Sequence, residues 1–169
     1  MKNILVLPVL VFGISINLFR GADSRYRTRQ QVGNQVFDFV LTLETDLLMV
    51  IDDYCVTCPG EDMCYNKEDS KSSKSITQNS ENCLSTEQIQ FTNECAFKYE
   101  SQVNYTNQGA LMMDSILFGS VSLKDFTFGR VLQESDYQGT VGLMGIGPVN
   151  LDKVYGTSLL DTVVNVQHT

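Results

Sequence analysis

The chain has 169 residues, of which 43% are hydrophobic and 19% charged, and its net charge is −8. This composition is typical of one globular domain and argues against a two-lobed enzyme. The acidic balance and the lack of a Lys/Arg run argue against nucleic acid as a partner. The only histidine, His168, lies next to the C-terminus, which argues against histidine-based nucleophilic catalysis. No phosphate-binding or dinucleotide-binding motif occurs, so no cofactor is expected.

The first 15 residues (1–15) have the features of a signal peptide. A basic start precedes an apolar stretch over residues 4–12, and small residues follow at the −3 and −1 positions of a cleavage site. The alternative is a membrane anchor over residues 4–19, but Pro8 and Asn17 interrupt it, and a span needs ~20 apolar residues. We therefore expect no stable membrane span and a secreted protein, either extracellular or lysosomal through the secretory pathway.

The segment after the signal peptide is rich in arginine. Four arginines lie among polar residues between positions 20 and 29, without apolar periodicity. Residues 16–33 are therefore interpreted as a basic, mobile leader, and the domain is expected to span residues 34–169.

Two consecutive strands are predicted at the start of the domain. Apolar and polar side chains alternate from Val36 to Leu43, which predicts a half-buried strand. The run Leu47–Ile51 is continuously apolar and ends at Asp52, which predicts a strand buried on both faces.

The rest of the chain predicts a polar loop, a β-meander and a helix. The polar segment Glu61–Ser85 lacks apolar periodicity and is interpreted as a surface excursion outside the core, within a cysteine-bounded loop over residues 55–95. Ser158, followed by apolar residues at helical spacing, predicts a short N-capped helix. Further strands are predicted over residues 90–99, 111–118, 121–123 and 126–132, with a turn at Lys124-Asp125. The fold class is therefore expected to be all-β.

Five cysteines lie within 41 residues, at Cys55, Cys58, Cys64, Cys83 and Cys95. In an oxidising compartment this density indicates disulfides, and the odd number leaves one cysteine over. The spacing alone does not identify that cysteine. A zinc site would need a second ligand pair at a matching spacing, and the sequence offers none, so no metal is expected.

Several landmarks follow one another in a characteristic order. They are an apolar strand that ends at Asp52, a predicted hairpin that contains Tyr99 and continues through Gly109–Gly119, then Phe128-Gly129, and finally the glycine-punctuated segment Val141–Gly147. In this order they resemble the N-terminal lobe of pepsin-like aspartic peptidases, over about Val36 to Gln167. The resemblance implies a single pepsin-like lobe, a half-barrel with a flap hairpin and a short C-terminal helix.

The resemblance also implies roles for individual residues. Asp52 matches the catalytic carboxylate, and Tyr99 matches the flap tyrosine that covers a bound peptide, so the implied partner is a polypeptide substrate or a protein. The family has a disulfide just after the catalytic strand. It therefore implies two bridges among Cys55, Cys58, Cys64 and Cys83, with Cys95 left over.

The catalytic motif is degenerate. The family hydrolyses peptides with two aspartates that share one proton. Here one aspartate matches, and Asp53, Tyr54 and Cys55 replace the Thr-Gly-Ser that should follow it. Asp53 is not expected to substitute for the second aspartate, because neighbouring side chains on a strand point to opposite faces. The chain is therefore interpreted as an aspartic-type endopeptidase family protein that is inactive alone.

Several alternatives remain open at this point. Two chains could form a homodimer that brings together two copies of Asp52. The chain could instead be a non-catalytic secreted binding module, or a truncated product of a two-lobed peptidase. Asp52 could also be a turn residue that ends a buried strand, and Tyr99 a cross-strand aromatic. A lone lobe is expected to expose apolar surface along Leu47–Ile51 and Val141–Gly147.

Overall fold

The computed structural model describes residues 15–58, 64–83, 93–102, 105–135, 142–147 and 158–167. This part of the chain is mostly β-sheet with one short α-helix, so the all-β prediction is confirmed. The signal-peptide prediction lies outside the described residues except for Ser15. The elements are β1 (Leu18–Arg20), β2 (Tyr26–Val32), β3 (Gln35–Thr42), β4 (Leu48–Ile51), β5 (Lys74–Ser75), β6 (Ala96–Glu100), β7 (Thr106–Phe118), β8 (Val121–Ser135), β9 (Gly142–Gly145) and α1 (Leu159–Gln167). Within these ranges, no helix has the length and apolar character needed to cross a membrane.

Six strands close into a ring of hydrogen-bonded neighbours. The order is β2-β3-β9-β4-β8-β7, and the end of β7 returns to β2 through the pairs Gln31–Leu117 and Val32–Ile116. β4 lies parallel to β8 and antiparallel to β9, whereas β3 and β9 are parallel. β1 extends the sheet from β2, and β5 and β6 both pair with β7. The short strand β4 therefore lies between β8 and β9, and Asp52 follows directly after its last residue.

β4 is buried on both faces, as its apolar run predicts. Leu48 and Val50 pack in one hydrophobic cluster, which also contains Phe37, Phe39 and Phe128. Met49 and Ile51 pack in a second cluster with Phe97, Leu111 and Val131. Because successive side chains of a strand point to opposite faces, a central strand between two cores needs apolar residues at every position.

Two other predicted elements are confirmed. β3 places Phe37 and Phe39 in the core, as the alternation over residues 36–43 predicts, but Val40 on the other face is buried too, and Leu43 lies beyond the strand and is 72% exposed. α1 begins directly after Ser158, whose side-chain oxygen accepts a hydrogen bond from the backbone N–H of Asp161 at 3.1 Å. This is the N-cap interaction expected of a serine at the start of a helix.

The prediction that residues 16–33 form a leader outside the fold is wrong. This segment forms β1 and β2, and β2 pairs with both β3 and β7. The inward positions of β2 include two polar residues, Thr28 and Gln30, so hydropathy alone does not show the alternation. The buried polar groups of Thr28 and Gln30 have hydrogen-bond partners. The Gln30 side-chain amide donates to the Thr28 hydroxyl, and its carbonyl oxygen accepts from the backbone N–H of Gly119.

Two local predictions also need correction. The polar excursion contributes to the core, since Tyr65 and Ile76 are fully buried. The predicted turn at Lys124-Asp125 is instead a bulge within the continuous strand β8, where Asp125 has a φ of 51°. The chain reverses direction at Gly119, whose φ of 60° favours glycine.

The predicted exposed apolar face is not present at the expected strands. Leu47–Ile51 is buried, and so is the described part of the glycine-punctuated segment, residues 142–147, apart from the half-buried Ile146. They pair with each other in the sheet, and the two hydrophobic clusters cover them. Exposed apolar side chains occur elsewhere, notably at Tyr54 (66% exposed) and Val56 (89%), in the loop after Asp52.

The disulfides differ from the expected set. Cys55 bonds to Cys58, and Cys83 bonds to Cys95, while Cys64 lies outside both bridges. The prediction that Cys95 is left over is therefore wrong. An isolated bridge between Thr77 and Glu94 places the end of the polar excursion beside the start of β6, which brings Cys83 close to Cys95.

Candidate functional site

The candidate site is centred on Asp52, at the end of β4. Its backbone N–H donates to the carbonyl of Val131 on β8 at 3.1 Å. On its other side the chain forms a bridge to Tyr65, in which the Tyr65 N–H donates to the carbonyl of Ile51 and Asp53 donates to the carbonyl of Tyr65. Asp52 is only 1% exposed. A carboxyl group at this depth needs partners to offset the loss of hydration.

Arg130 supplies the main partner. Its Nη1 donates to Asp52 Oδ2 at 3.1 Å, and its Nη2 donates to both carboxylate oxygens of Glu94, at 2.9 and 3.0 Å. The other Asp52 oxygen, Oδ1, accepts the backbone N–H of Tyr54 at 2.9 Å. Because Arg130 lies beside Val50 in the parallel pair β4–β8, its side chain is buried next to the end of β4. Asp52, Arg130 and Glu94 therefore form an ionic triad in which Asp52 and Arg130 are buried and Glu94 is half-buried.

The ionisation of Asp52 reflects this environment. Burial raises the pKa of Asp52 to about 6, and this effect outweighs the lowering by the Arg130 charge and by the Tyr54 N–H. Asp53 adds a smaller increase through its charge and a side-chain hydrogen bond. Asp52 is thus neutral in acid and ionised, next to Arg130, above about pH 6.

The side chains of Asp52 and Asp53 were expected to point to opposite faces of the strand and not to interact, and only the first part of this expectation holds. Asp52 is buried and Asp53 is exposed, as neighbouring positions at a strand end should be. The hydrogen bond between their side chains nevertheless contributes to the raised pKa of Asp52.

Tyr99 lies on β6, in the β6–β7 hairpin, and is buried. Its hydroxyl donates to Glu44 Oε2 at 2.8 Å, and the Ser101 hydroxyl donates to the same oxygen at 2.7 Å. The ring packs edge-on against Tyr105, with 5.9 Å between centroids. The bonds from Ser101 and Tyr99 lower the pKa of Glu44, while burial and Glu44 raise the pKa of Tyr99. Glu44 therefore holds the hairpin against the loop that precedes β4.

A second buried carboxyl group, that of Asp114, ties the polar excursion to β7. The Tyr65 hydroxyl donates to Asp114 Oδ2 at 2.8 Å, and the backbone N–H of Ser115 donates to Oδ1 at 2.7 Å. The hydroxyl of Ser72 also donates to Oδ1. Burial, followed by the bond to Asp114, raises the pKa of Tyr65. This cluster connects the polar excursion to β7 through satisfied hydrogen bonds, which is a structural role.

Comparison with known proteins does not assign this site. No protein-family model matches the chain, and no curated protein matches it. Among the described residues, no group of three or more His, Cys, Asp or Glu side chains could hold a metal ion.

Sequence reasoning identified Asp52 and missed its partners. Arg130 carried a usable signal, because a charged residue inside the strand-like stretch Phe126–Leu132 needs a buried counter-ion if it faces inward. Glu94 and Glu44 carried no such signal. Glu94 meets Arg130, and Glu44 meets Tyr99 and not Asp52, through contacts between segments far apart in sequence.

Proposed function

We propose that this chain is a secreted, pepsin-like lobe that binds polypeptide and does not hydrolyse it as a single chain. The observation that carries the proposal is the ion pair between Asp52 and Arg130. Above about pH 6 the carboxylate is paired with the guanidinium, and below that pH it is protonated. In neither range does it act as the free carboxylate base that activates water in acid peptidases.

The arrangement of the sequence landmarks supports the pepsin-like part of the proposal. Gly129 pairs with Met49 on one side of β4, and Leu143 pairs with Met49 on the other side. The hairpin that contains Tyr99 is formed by β6 and β7. Two of the landmarks, Gly129 and Leu143, therefore flank the strand that ends at Asp52, whereas the Tyr99 hairpin joins the sheet beyond β8.

The disulfides and the strand edges support the remaining parts. Two disulfides fit a protein that passes through an oxidising compartment. Sheet edges can accept an extended polypeptide as an added strand, with main-chain hydrogen bonds giving affinity. A lobe that lacks the two catalytic aspartates would still be able to bind polypeptide in this way.

The test is a cleavage assay with an unfolded protein as substrate, from pH 3 to pH 7. We expect the purified chain and its Asp52→Asn variant to give the same background cleavage. Cleavage that Asp52→Asn abolishes and a statine-type inhibitor blocks would overturn the proposal.

A homodimeric peptidase is the second candidate. It is favoured by the raised pKa of Asp52, since strongly shifted carboxyl groups cluster at catalytic sites. The exposed side chains of Tyr54 and Val56 in the adjoining loop could form part of a dimer contact. This candidate predicts a dimer in sedimentation and cleavage that rises with the dimer fraction. A monomer without cleavage would exclude it.

A further inference from the structure

The exposed apolar side chains of this domain form two separate groups. Among the described residues, the large apolar side chains that are exposed are Tyr26, Val36, Leu43, Tyr54, Val56 and Leu117. One group consists of Val36 and Leu117, on β3 and β7, and the other of Tyr54 and Val56, in the loop after β4. Exposed apolar side chains that share one surface with polar groups are typical of contact sites.

The first group lies on one face of the sheet, around Gln31. The register pairs Gln31 with Val36 on β3 and with Leu117 on β7, so all three side chains lie on the same face. Arg29 lies two positions from Gln31 on β2 and therefore shares this face. We call these four residues the groove face, because they line a groove of about 1390 Å³. Small-molecule pockets usually measure about 300–1,000 Å³, so this groove has room for a loop of polypeptide.

The second group is carried by the disulfide loop, residues 53–58, which a disulfide closes. The backbone N–H of Val56 donates to the carbonyl of Leu132 at 3.1 Å. The Thr57 hydroxyl donates to the carbonyl of Glu134 at 2.7 Å and accepts from its N–H at 2.8 Å. The loop thus presents the exposed side chains of Tyr54 and Val56 in a fixed conformation. A loop that is ordered before it binds loses little conformational entropy on binding.

The groove face and the disulfide loop lie at opposite ends of β8. Leu117 pairs with Ser122 near the start of β8, whereas Val56 is hydrogen-bonded to Leu132 near its end. The strand between Ser122 and Leu132 measures about 30 Å, at ~3.3 Å per residue. The disulfide loop of one copy therefore does not reach its own groove face. A contact between the two surfaces has to join two copies of the chain.

The two surfaces carry opposite charge. Residues 16–33 contain four arginines and one aspartate, a net charge of +3, so the rest of the chain carries −11. On the groove face, the Arg29 side chain is 66% exposed and uses Nε and Nη2 for Asp38, which leaves three of its five N–H donors. In the disulfide loop, Asp53 is exposed. A carboxylate of this loop is therefore a matching partner for Arg29.

We propose that copies of this chain associate head to tail, with the disulfide loop of one copy bound in the groove of the next. The apolar side chains of the loop pack against Val36 and Leu117, and Asp53 pairs with Arg29. The proposal goes beyond the proposed function and does not rest on it. It also differs from the homodimeric peptidase, because a contact between opposite ends of two copies does not bring two Asp52 side chains together. Such a contact leaves one free surface of each kind, so further copies can add.

Sedimentation velocity from micromolar to submillimolar concentration tests the association. We expect species larger than a dimer to grow with concentration and to diminish as salt is raised. The groove variant, Val36→Ser with Leu117→Ser, should weaken association about tenfold or more. The loop variant, Tyr54→Ser with Val56→Ser, should weaken it to the same extent. A natural chain that stays monomeric throughout would overturn the proposal.

A matched control removes the two exposed apolar side chains that lie outside both surfaces. The variant Tyr26→Ser with Leu43→Ser should associate as the natural chain does. If it weakened association as much as the groove and loop variants do, general surface hydrophobicity would explain the association, and the assignment of the two surfaces would be wrong.

Mixing the groove variant with the loop variant tests the head-to-tail arrangement itself. One variant keeps an intact loop and the other an intact groove, so the mixture should form a one-to-one dimer and nothing larger. Such a dimer also shows that both variants are folded. A mixture with no more dimer than either variant alone would overturn the proposal.

A charge exchange provides a second route that leaves the apolar residues in place. Arg29→Glu should weaken association, and Arg29→Glu combined with Asp53→Arg should restore it at least in part, because the pair is then reversed. A combined variant that associates no better than Arg29→Glu would show that Asp53 does not meet Arg29 and would contradict the proposed contact.

Discussion

Replacing Arg130 by methionine should destabilise the fold strongly, because it leaves the Asp52 carboxyl buried without its cation. Burial already raises the pKa of Asp52 from 3.8 to about 6 with Arg130 in place. A shift of about two units corresponds to about 3 kcal/mol. Removal of one partner of a buried ion pair typically costs about 3–5 kcal/mol, and we expect Arg130→Met to fall in this range at pH 7.5.

The loss of unfolding free energy caused by Arg130→Met should be larger at neutral pH than in acid. The native state binds the Asp52 proton more tightly than the unfolded state does, so this group contributes less stability as pH rises from about 4 to 6. Without Arg130 the pKa of Asp52 should rise further. The cost of Arg130→Met should therefore be smaller at pH 5, where the carboxyl is neutral, than at pH 7.5. Urea unfolding followed by circular dichroism, with the disulfides intact, measures both values.

Two controls make this prediction decisive. Arg29→Met removes an arginine from an exposed pair with Asp38 and should cost about 0–1 kcal/mol. The double variant Asp52→Asn with Arg130→Met lacks both charges of the pair, so it should be less destabilised than Arg130→Met alone. If Arg130→Met cost no more than Arg29→Met at pH 7.5, or the same at both pH values, the reasoning about the triad would be refuted.

Two further predictions concern the hairpin and the disulfides. Tyr99→Phe removes the bond to the Glu44 carboxylate and should cost about 1–3 kcal/mol in urea unfolding, whereas Tyr26→Phe, at the exposed start of β2, should cost nothing measurable. An equal effect of the two would show that the Glu44 contact does not hold the hairpin. Non-reducing peptide mapping should link Cys83 to Cys95, and Cys83→Ser should cost about 2–5 kcal/mol. A peptide that joins Cys95 to another cysteine would contradict the assignment.

The strands with strong hydrophobic patterns could be predicted from the sequence. The unbroken apolar run of β4 follows directly from burial on two faces, and the alternation in β3 locates the core residues Phe37 and Phe39, although Val40 on the other face is buried as well. β2 could not be predicted in this way, because its inward residues Thr28 and Gln30 are polar and satisfy each other. Hydropathy measures apolar burial and does not detect a strand whose interior positions are paired by hydrogen bonds.

The candidate site could be predicted only in part, for a related reason. Asp52 was recognisable because it ends an apolar strand. Its pairing with Arg130 depends on the parallel register of β4 and β8, which are separated by some 70 residues of chain. The disulfide prediction was wrong because it followed the position of the disulfide in the resembling family, whereas in this chain the bridge between Thr77 and Glu94 brings together the segments that carry Cys83 and Cys95.

The most direct test of the Asp52–Arg130 pair is an NMR titration of the Asp52 side-chain carboxyl carbon. The resonance can be assigned from its loss in Asp52→Asn. We predict a midpoint near pH 6 in the natural chain and a higher midpoint in Arg130→Met, because the guanidinium lowers the pKa of the buried carboxyl. A midpoint near 4 that does not move in Arg130→Met would show an exposed, unpaired carboxylate and would contradict the account.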